Sequence, residues 1–447
     1  QPSLQPSSQP SSGPSANPSQ IPSSQPSLQP SSQPSYEPSP APKVTITNIA
    51  TLNPLVGAAN FQFGKSVAIS GTSALIGAPS VTDADGDLIG AAYLFESMFS
   101  ASQSETKYSE EAPSGVSPEC GRSVAYSKIA TDKFVVLGCP GYRVLPAVNK
   151  AGAFLRYTGD SSTPDIATSK FDAAAAEFGA SVSLNANGIL AVGSTKGYVA
   201  LYDINPTTGG GLDPSPISEI DSFGQGFDTK VALNDADPPM LAVGAINQGD
   251  GSGSVFLYKN PLVDNPSSEV ITAPAAAKVN CAAGGCQFGF SVALFDLTLV
   301  VGSPGTESNA GRAFVYDLTG DLTGDFEPQQ SLPAILSAPA LFGQSVAIAN
   351  GAVVVGSPLY SSDGTAANIF GAAFFYNRNE DGDWYLPDFE STNTGNIIEN
   401  PILGGSNGEQ FGDAVAISDE AFVVGAPFYD DSKGKAVAYS YTSATNT

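Results

Sequence analysis

Three alternating aspartates early in the chain are the residues best suited to hold a metal ion. Asp83, Asp85 and Asp87 surround Gly86 in the segment D-A-D-G-D. Alternate carboxylates around a glycine turn place hard oxygen ligands on one side of a loop, which is the pattern of calcium loops. The bidentate acid that ends such a loop is missing, so a solvated acidic turn is the alternative interpretation.

A second segment of the same kind is N-R-N-E-D-G-D, in which Asn377, Asn379 and Asp381 are the candidate ligands. It falls where a hairpin must join two strands, and Asp-Gly is a preferred pair for such a turn. A structural turn therefore explains it without a metal. Calcium is the one cofactor that the sequence suggests, and nothing in the sequence requires a cofactor.

The four cysteines fall into two pairs. Cys281 and Cys286 lie in the short segment C-A-A-G-G-C, and Cys120 and Cys139 are placed on neighbouring strands by the repeat described below. Disulfides form in oxidising compartments, so two bridges would suit a secreted chain. Four reduced, buried thiols are the alternative.

Catalytic residues are scarce. Histidine is absent, which removes imidazole as a base or metal ligand. Paired carboxylates could serve glycoside chemistry, but no nucleophile with a partner base and no phosphate loop is present. We therefore predict that the protein is not an enzyme.

Composition and charge limit the partners. The net charge is −25, from 43 acidic and 18 basic residues, whereas nucleic acids and anionic membranes attract basic surfaces. The sequence contains no run of 18 apolar residues, so it predicts no membrane-spanning helix. The chain begins at Gln1 without an initiator Met or an apolar leader, so we expect a processed chain or a fragment.

A unit of three segments recurs seven times in residues 43–447. The first reads F-G-x-S-V-A-I or close to it, and its opening pairs are Phe63-Gly64, Cys120-Gly121, Phe178-Gly179, Phe227-Asp228, Phe288-Gly289, Phe342-Gly343 and Phe411-Gly412. The second is an apolar run ending in G-A-P or a relative, with glycines at Gly77, Gly138, Gly193, Gly244, Gly302, Gly356 and Gly425. The third is a glycine followed five residues later by an aromatic residue, as in Gly90/Phe95, Gly152/Tyr157, Gly197/Tyr202, Gly253/Tyr258, Gly311/Tyr316, Gly371/Tyr376 and Gly434/Tyr439.

Short apolar runs that end in Gly, Asn, Asp or Pro predict β-strands. A more variable fourth strand follows each third segment, for example at residues 269–272 and 384–387. Seven four-stranded antiparallel units arranged radially form a β-propeller, so the predicted class is all-β. Only three strands follow Phe411, and we expect residues 43–48 to supply the missing outer strand and close the ring.

These F-G and G-A-P segments resemble the FG-GAP repeat of the seven-bladed propeller in integrin α subunits and many secreted proteins. The resemblance covers residues 43–447 and implies extracellular recognition or assembly. Calcium loops of this family lie between the first and second strands. Here those connections are short, and only Asn234-Asp235-Ala236-Asp237 is acidic, so the family's calcium sites cannot be carried over as a whole.

Residues 1–42 differ from the rest because they contain ten consecutive x-P-S-x tetrapeptides. Their prolines and serines are Pro2, Ser3, Pro6, Ser7, Pro10, Ser11, Pro14, Ser15, Pro18, Ser19, Pro22, Ser23, Pro26, Ser27, Pro30, Ser31, Pro34, Ser35, Pro38 and Ser39. This spacing predicts polyproline II of roughly 120 Å when fully extended. With about three residues per turn, successive Pro-Ser pairs face three directions. A disordered linker is the alternative.

The tail resembles Pro-rich glycoproteins of algal and plant-type cell walls, where proline is hydroxylated and O-glycosylated. Joined to a propeller, it also resembles subunits of extracellular glycan-coated fibrils. We therefore predict O-glycans on the tail residues and an extracellular or cell-surface homopolymer joined through the tail. The rival interpretation is an integrin-like binding module on a spacer stalk.

Overall fold

The computed structural model describes most of the chain after the Pro/Ser-rich tail. The described residues are 44–54, 60–101, 103–110, 117–129, 132–143, 152–159, 161–168, 177–204, 213, 215–221, 229–246, 252–264, 266–278, 281, 285–319, 326–332, 339–361, 369–387, 389–391, 402–403 and 408–443. The chain divides after Ala41, and all of these residues belong to the second unit, Pro42–Thr447.

The described residues form seven β-sheets, which confirms the all-β, seven-bladed propeller. Strand β1 (Val44–Leu52) comes first. Blades one to three contain β2 (Ser66–Ser70), β3 (Ser73–Ala78), β4 (Ala91–Glu96) and β5 (Ser104–Tyr108); β6 (Ser123–Ile129), β7 (Asp132–Cys139), β8 (Ala153–Thr158) and β9 (Asp165–Thr168); and β10 (Ser181–Leu184), β11 (Ile189–Gly193), β12 (Tyr198–Asp203) and β13 (Ser218–Asp221).

Blades four to six contain β14 (Thr229–Leu233), β15 (Leu241–Ala245), β16 (Ser254–Tyr258) and β17 (Glu269–Thr272); β18 (Ser291–Phe295), β19 (Thr298–Ser303), β20 (Arg312–Asp317) and β21 (Gln330–Leu332); and β22 (Ser345–Ala349), β23 (Ala352–Ser357), β24 (Ala372–Arg378) and β25 (Trp384–Tyr385). The remaining strands are β26 (Phe389–Ser391), β27 (Ile402–Leu403), β28 (Ala414–Ile417), β29 (Ala421–Ala426) and β30 (Lys435–Ser443). Blade seven is built from β28, β29, β30 and β1.

The N-terminal strand closes the ring, as predicted. Strand β1 pairs antiparallel with β30 from Val44↔Ser443 to Leu52↔Ala436, so it continues beyond the predicted residues 43–48. Strand β1 is the fourth strand of blade seven, as predicted, and the short strand β26 adds a fifth that was not predicted. Strand β26 pairs in parallel with β1, Val44 opposite Phe389. Residues 44–46 of β1 are therefore paired with a strand on each side, β30 and β26.

Blade six differs from the predicted meander at its fourth strand. Only Trp384 and Tyr385 of the predicted residues 384–387 form a strand, and they pair with the end of β24. The beginning of β24 pairs instead with β27, Ala372 opposite Leu403. Between these two short strands the chain leaves blade six, and β26 joins blade seven.

Short helical turns complete the described fold. A 3₁₀ turn spans Ala275–Lys278, and single turns α1 (Thr306–Asn309) and α2 (Tyr429–Ser432) follow the second strands of blades five and seven. In α1, Glu307 and Ser308 have φ of 52° and 57°. Such left-handed backbone costs energy in residues other than glycine, so these turns depend on their neighbours.

The apolar core lies between blades. Seven clusters of buried side chains each join two neighbouring blades, and together they bury most of the repeat aromatics. Between blades seven and one, for example, Phe63 and Phe95 of blade one pack with Val423 and Ala438 of blade seven. Burial of these faces is what holds consecutive sheets together.

The glycines of the repeat lie at the same junctions. The F-G glycine donates its N–H to the G-A-P glycine of its own blade, as Gly121 does to Gly138 at 3.1 Å. The glycine of the third segment bridges to the next blade, as Gly90 does to Cys120. A Cβ on Gly77 would overlap the carbonyl oxygen of Gly121 in the next blade. The close backbone contact between neighbouring blades therefore requires glycine at these positions, because a side chain there would obstruct it.

The register of blade four agrees with the repeat. Lys230 pairs with Gly244 as Ser66 pairs with Gly77 in blade one. The positions three and two residues before Lys230 are the predicted pair Phe227-Asp228, as Phe63-Gly64 precede Ser66; the pair itself lies outside the described residues.

Candidate functional site

The loop with Asp83, Asp85 and Asp87 joins the second and third strands of blade one. The carboxylate Oδ1 of Asp83 accepts hydrogen bonds from the backbone N–H groups of Asp85 and Asp87, at 3.0 and 2.9 Å. Gly86 has a φ of +87° and donates its N–H to the Asp83 carbonyl. The first aspartate therefore caps a tight five-residue loop, and all three acids lie on one short turn.

The loop after Asn377 uses the same geometry in blade six. Asn377 lies at the end of β24 and is buried, whereas Asn379 begins the turn. Its Oδ1 accepts the N–H of Asp383 at 2.7 Å, and Gly382 has a φ of +91°. Asn377 and Asn379 thus belong to different parts of the hairpin.

A third copy explains the shared pattern. Asn185 accepts the N–H groups of Asn187 and Ile189 at 3.1 and 2.9 Å, and Gly188 has a φ of +85°. The pattern is an Asp or Asn, two further residues and a left-handed glycine, which is an Asx turn. The sequence left a turn and a calcium loop as alternatives, because calcium loops and Asx-capped hairpins share the same residues.

A metal ion needs several ligands in one place. Within the described ranges, no group of three or more His, Cys, Asp or Glu side chains is arranged to hold a metal ion. The Asp83 oxygen that accepts two N–H groups is committed to the turn. Calcium binding by these loops stays a prediction, which titration can test.

The first strands of all seven blades surround a central cavity of about 400 Å³. The serine of F-G-x-S-V links neighbouring blades: Ser66 and Ser123 each donate to the F-G glycine carbonyl of the next blade at 2.8 Å. The following valines form a ring of apolar side chains, Val67, Val124, Val182, Val231, Val292, Val346 and Val415. The repeat thus accounts for most of the lining.

Charge in this cavity comes from positions where the repeat varies. Lys65 Nζ lies 2.8 Å from Asp413 Oδ2, and the Asp413 side chain is only 6% exposed. This ion pair joins blades one and seven, where the ring closes. Lys230 lies over the ring of Phe290, 5.9 Å from its centroid, across the junction of blades four and five.

A second cavity of about 240 Å³ opens beside these residues, between blades two, three and four. Glu119 and Glu177 contribute carboxylates, and Arg122 and Lys230 contribute cations. Arg122 Nη1 and Glu119 Oε2 are 3.3 Å apart, with half of the arginine side chain exposed. Mixed charge in so small a volume favours a small polar ligand over an extended polyanion.

The residue before the F-G segment has an unusual backbone in the six blades where the structure describes it. Gln62, Glu119, Glu177, Gln287, Leu341 and Gln410 all have φ between 48° and 60°. Left-handed backbone in residues other than glycine is uncommon, and here it aims the next side chain, a phenylalanine or Cys120, into the junction. The sequence signal was a preference for Gln or Glu, which the motif itself does not include.

A buried ion pair stabilises the junction of blades six and seven. Lys435 Nζ lies 2.8 Å from Glu409 Oε2, and the two side chains are 13% and 2% exposed. The ammonium group also lies 4.1 Å from the ring centroid of Tyr429. Breaking such a pair would leave a buried charge, so its role is structural.

The tyrosines of the third strands are buried in the core. Burial raises the pKa of Tyr157, Tyr316 and Tyr376 well above the ordinary value near 10. Burial, with the nearby Glu105 carboxylate, raises the pKa of Tyr93 to about 12. These phenols stay protonated at neutral pH and serve as core side chains.

Both predicted cysteine pairs are bonded. Cys120 and Cys139 form one disulfide, and Cys281 and Cys286 form the other. Cys120 takes the position of the F-G phenylalanine, and it is 1% exposed. The bridge therefore replaces an aromatic contact by a covalent one. The predicted modification sites at residues 1–42 lie outside the described residues.

The architecture defines the class: a seven-bladed β-propeller closed by an N-terminal strand. Residues 46–95, from β1 into the third strand of blade one, match the family model described as FG-GAP repeat. No curated protein matches the chain. FG-GAP propellers are typically non-enzymatic, and the fold is compatible with ligand binding or with a structural role.

Two further findings concern the cellular setting. The disulfides together with the FG-GAP repeat suggest an extracellular or secreted protein. Of the helices in the described part of the chain, none is long and apolar enough to cross a membrane.

Proposed function

We propose that this chain is an extracellular, non-enzymatic structural protein that assembles into a filament or surface layer. In this proposal residues 1–42 are an O-glycosylated polyproline II arm that contacts a neighbouring propeller. The observation that carries the proposal is the run of ten x-P-S-x units kept in register immediately before the closing strand. A spacer needs only length and solubility, whereas a constant register supplies the same Pro-Ser pair at regular intervals.

The propeller supports this proposal through its closure. Strand β1 follows the arm directly in the sequence; it pairs with β30 from Val44 to Leu52, and its residues 44–46 also pair with β26. A force applied to the arm would therefore act on a strand that is paired with two neighbouring strands, β30 and β26. The F-G and G-A-P residues are used between blades, which leaves the arm and the variable loops for contacts with other molecules.

A ligand-binding module on a spacer is the second candidate. Its support is the charged cavity formed by Glu119, Arg122, Glu177 and Lys230, which opens beside the central cavity. Calcium binding by the Asp83 loop would also favour this candidate. Calorimetric titration with calcium tests it: tight stoichiometric binding favours the binding module, and its absence favours the structural protein.

Removal of residues 1–42 tests the structural proposal. The full chain and a chain starting at Lys43 are compared by light scattering and electron microscopy after purification from the same source. We expect the full chain to form filaments or layers and the shortened chain to remain monomeric. Monomeric full chains, or assembly of the shortened chains, would show that the arm is not the connector.

A further inference from the structure

A groove of about 660 Å³ lies under blades six, seven and one. It is lined by turns that join first and second strands, including Thr72, Gly351 and Asp419. The F-G segments begin these first strands, so the groove lies on the face opposite the F-G segments. Its volume is in the range of about 300–1,000 Å³ that small-molecule sites occupy.

One wall is shaped by an irregularity in the closing strand. The pairing of β1 with β30 shifts between Ile46 and Asn48, which leaves Thr47 as an extra residue. Successive residues of a regular strand face opposite sides, but here Thr47 Oγ1 and Asn48 Nδ2 both reach Ser440 Oγ, at 2.6 and 3.0 Å. Bulges of this kind re-aim side chains at functional sites.

The opposite wall and the floor hold further polar groups in fixed positions. Arg378 donates its backbone N–H to Gly351 O at 2.9 Å, and its guanidinium lies 5.9 Å from the Trp384 ring. Tyr441 donates its hydroxyl to Ser418 O at 2.9 Å. The donors and acceptors are therefore held before any ligand arrives, which lowers the entropy cost of binding.

Two carboxylates face this groove without an ion-pair partner in the described part of the chain. They are Asp419 and Glu420, and both are exposed. Carboxylates accept hydrogen bonds from hydroxyl groups and repel anions. With a single cation, Arg378, the groove is unsuited to phosphate, sulfate or nucleic acid.

The remaining lining favours a ligand with many hydroxyl groups and an apolar face. Asn350 and Asn377 add amides, which both donate and accept, and Phe99 adds a half-buried aromatic surface. A sugar ring offers both features. We propose that this groove binds a neutral saccharide, and that its source is the O-glycan on the arm of a second copy. The second statement rests on the proposed function.

Saccharide binding is measured on the full chain. The probes are cellotriose, maltotriose and mannotriose, together with the glycans released from the arm of the native protein, tested by saturation-transfer NMR and calorimetry. The double variant Asp419→Asn/Glu420→Gln keeps side-chain size and removes both charges. The matched control is Asp296→Asn, which lies in the corresponding turn of blade five, outside the groove.

We expect at least one probe to bind, with affinity at least tenfold weaker in the double variant and unchanged in the control. Unchanged thermal unfolding of both variants separates lost binding from lost folding. Absence of binding by every probe, or equal binding by the double variant, would overturn the saccharide site.

The two statements fail separately. Binding of a trisaccharide but not of the released arm glycans would support the site and overturn the arm as its source. A native arm without glycans by mass spectrometry would overturn the proposed function, while trisaccharide binding would still support the groove. Binding of the arm glycans alone supports both.

Discussion

Replacement of Gly356 by alanine tests whether the repeat glycines are required for the close contact between neighbouring blades. A Cβ at this position would lie 2.9 Å from the carbonyl carbon of Gly412 in blade seven and closer still to its oxygen. Its φ is not left-handed, so the cost is purely steric. Overpacking costs about 1–3 kcal/mol when side chains can adjust, and here the obstacle is backbone. We expect a loss of about 3 kcal/mol or more.

Gly351→Ala is the matched control in the same blade. Gly351 has a φ of +78°, and its only neighbour within 4 Å of a new Cβ is Arg378 Cβ at 3.9 Å. Its cost is therefore the left-handed conformation alone, roughly 1–2 kcal/mol. Both variants restrict the unfolded chain equally, by about 0.4–1 kcal/mol, and this gain cancels in the comparison.

The assay is urea unfolding followed by tryptophan fluorescence. Trp384 is the single tryptophan of the chain, and it is buried in blade six beside β24. The signal therefore reports on the blade that carries both variants. A free energy of unfolding for Gly356→Ala within about 0.5 kcal/mol of that for Gly351→Ala would refute the need for glycine at the contact between blades, since substitutions at ordinary surface positions have effects of that size.

Three further predictions concern stability. Replacing Cys120 and Cys139 by alanine should lower the free energy of unfolding by about 3 kcal/mol, because the bridge closes a loop of about 20 residues; urea unfolding checks this. Lys65→Met should cost about 2–3 kcal/mol in the same assay, because the Asp413 carboxylate is left buried without its partner. The pKa of Tyr93 is raised in the fold, so its contribution is present below pH 10 and is lost as pH rises from about 10 to about 12; absorbance at 295 nm should show phenolate appearing with unfolding.

Each of these predictions has its own control. Removing the Cys281–Cys286 bridge should cost less, because its two cysteines are separated by only 5 positions in the sequence; an equal loss would contradict the loop argument. Lys433→Met should change stability little, because its pair with Asp430 is exposed, and an effect as large as that of Lys65→Met would contradict the role of burial. Titration of all 16 tyrosines near pH 10 in a folded propeller would contradict the burial of the third-segment rings.

The propeller could be predicted because its repeat is written in residues that allow few alternatives. Gly77 and Gly90 each lie where a Cβ would overlap backbone of the next blade. The spacing of such glycines therefore reflects the spacing of strands. Closure by the N-terminal strand was predictable for a related reason, since three strands after Phe411 leave one place empty.

The parallel pairing of β26 with β1 could not be predicted in this way. Three residues pair in parallel with a strand more than 300 positions earlier, and no periodic pattern marks them. The outer strand of blade six was predicted only in part: Trp384 and Tyr385 form the expected strand, but β27, farther along the chain, pairs with the beginning of β24. Non-local pairing of short segments carries little signal in local sequence.

The acidic loops show the opposite difficulty, a strong pattern with two meanings. Asp83 and Asn379 occur in sequences typical of calcium loops, and in the structure both cap turns through a side-chain oxygen. The groove under blades six, seven and one was not indicated by any pattern in the sequence. Its residues come from three blades and meet only because the ring closes.

We propose that the function resides in residues 1–42 and their O-glycans rather than in the repeat. The intact mass of the native chain, with peptide mapping, tests this claim most directly. The polypeptide alone accounts for 45.5 kDa. We predict a mass well above this value, with the excess located in residues 1–42. A mass equal to that of the polypeptide, or an excess located in the propeller, would contradict the account.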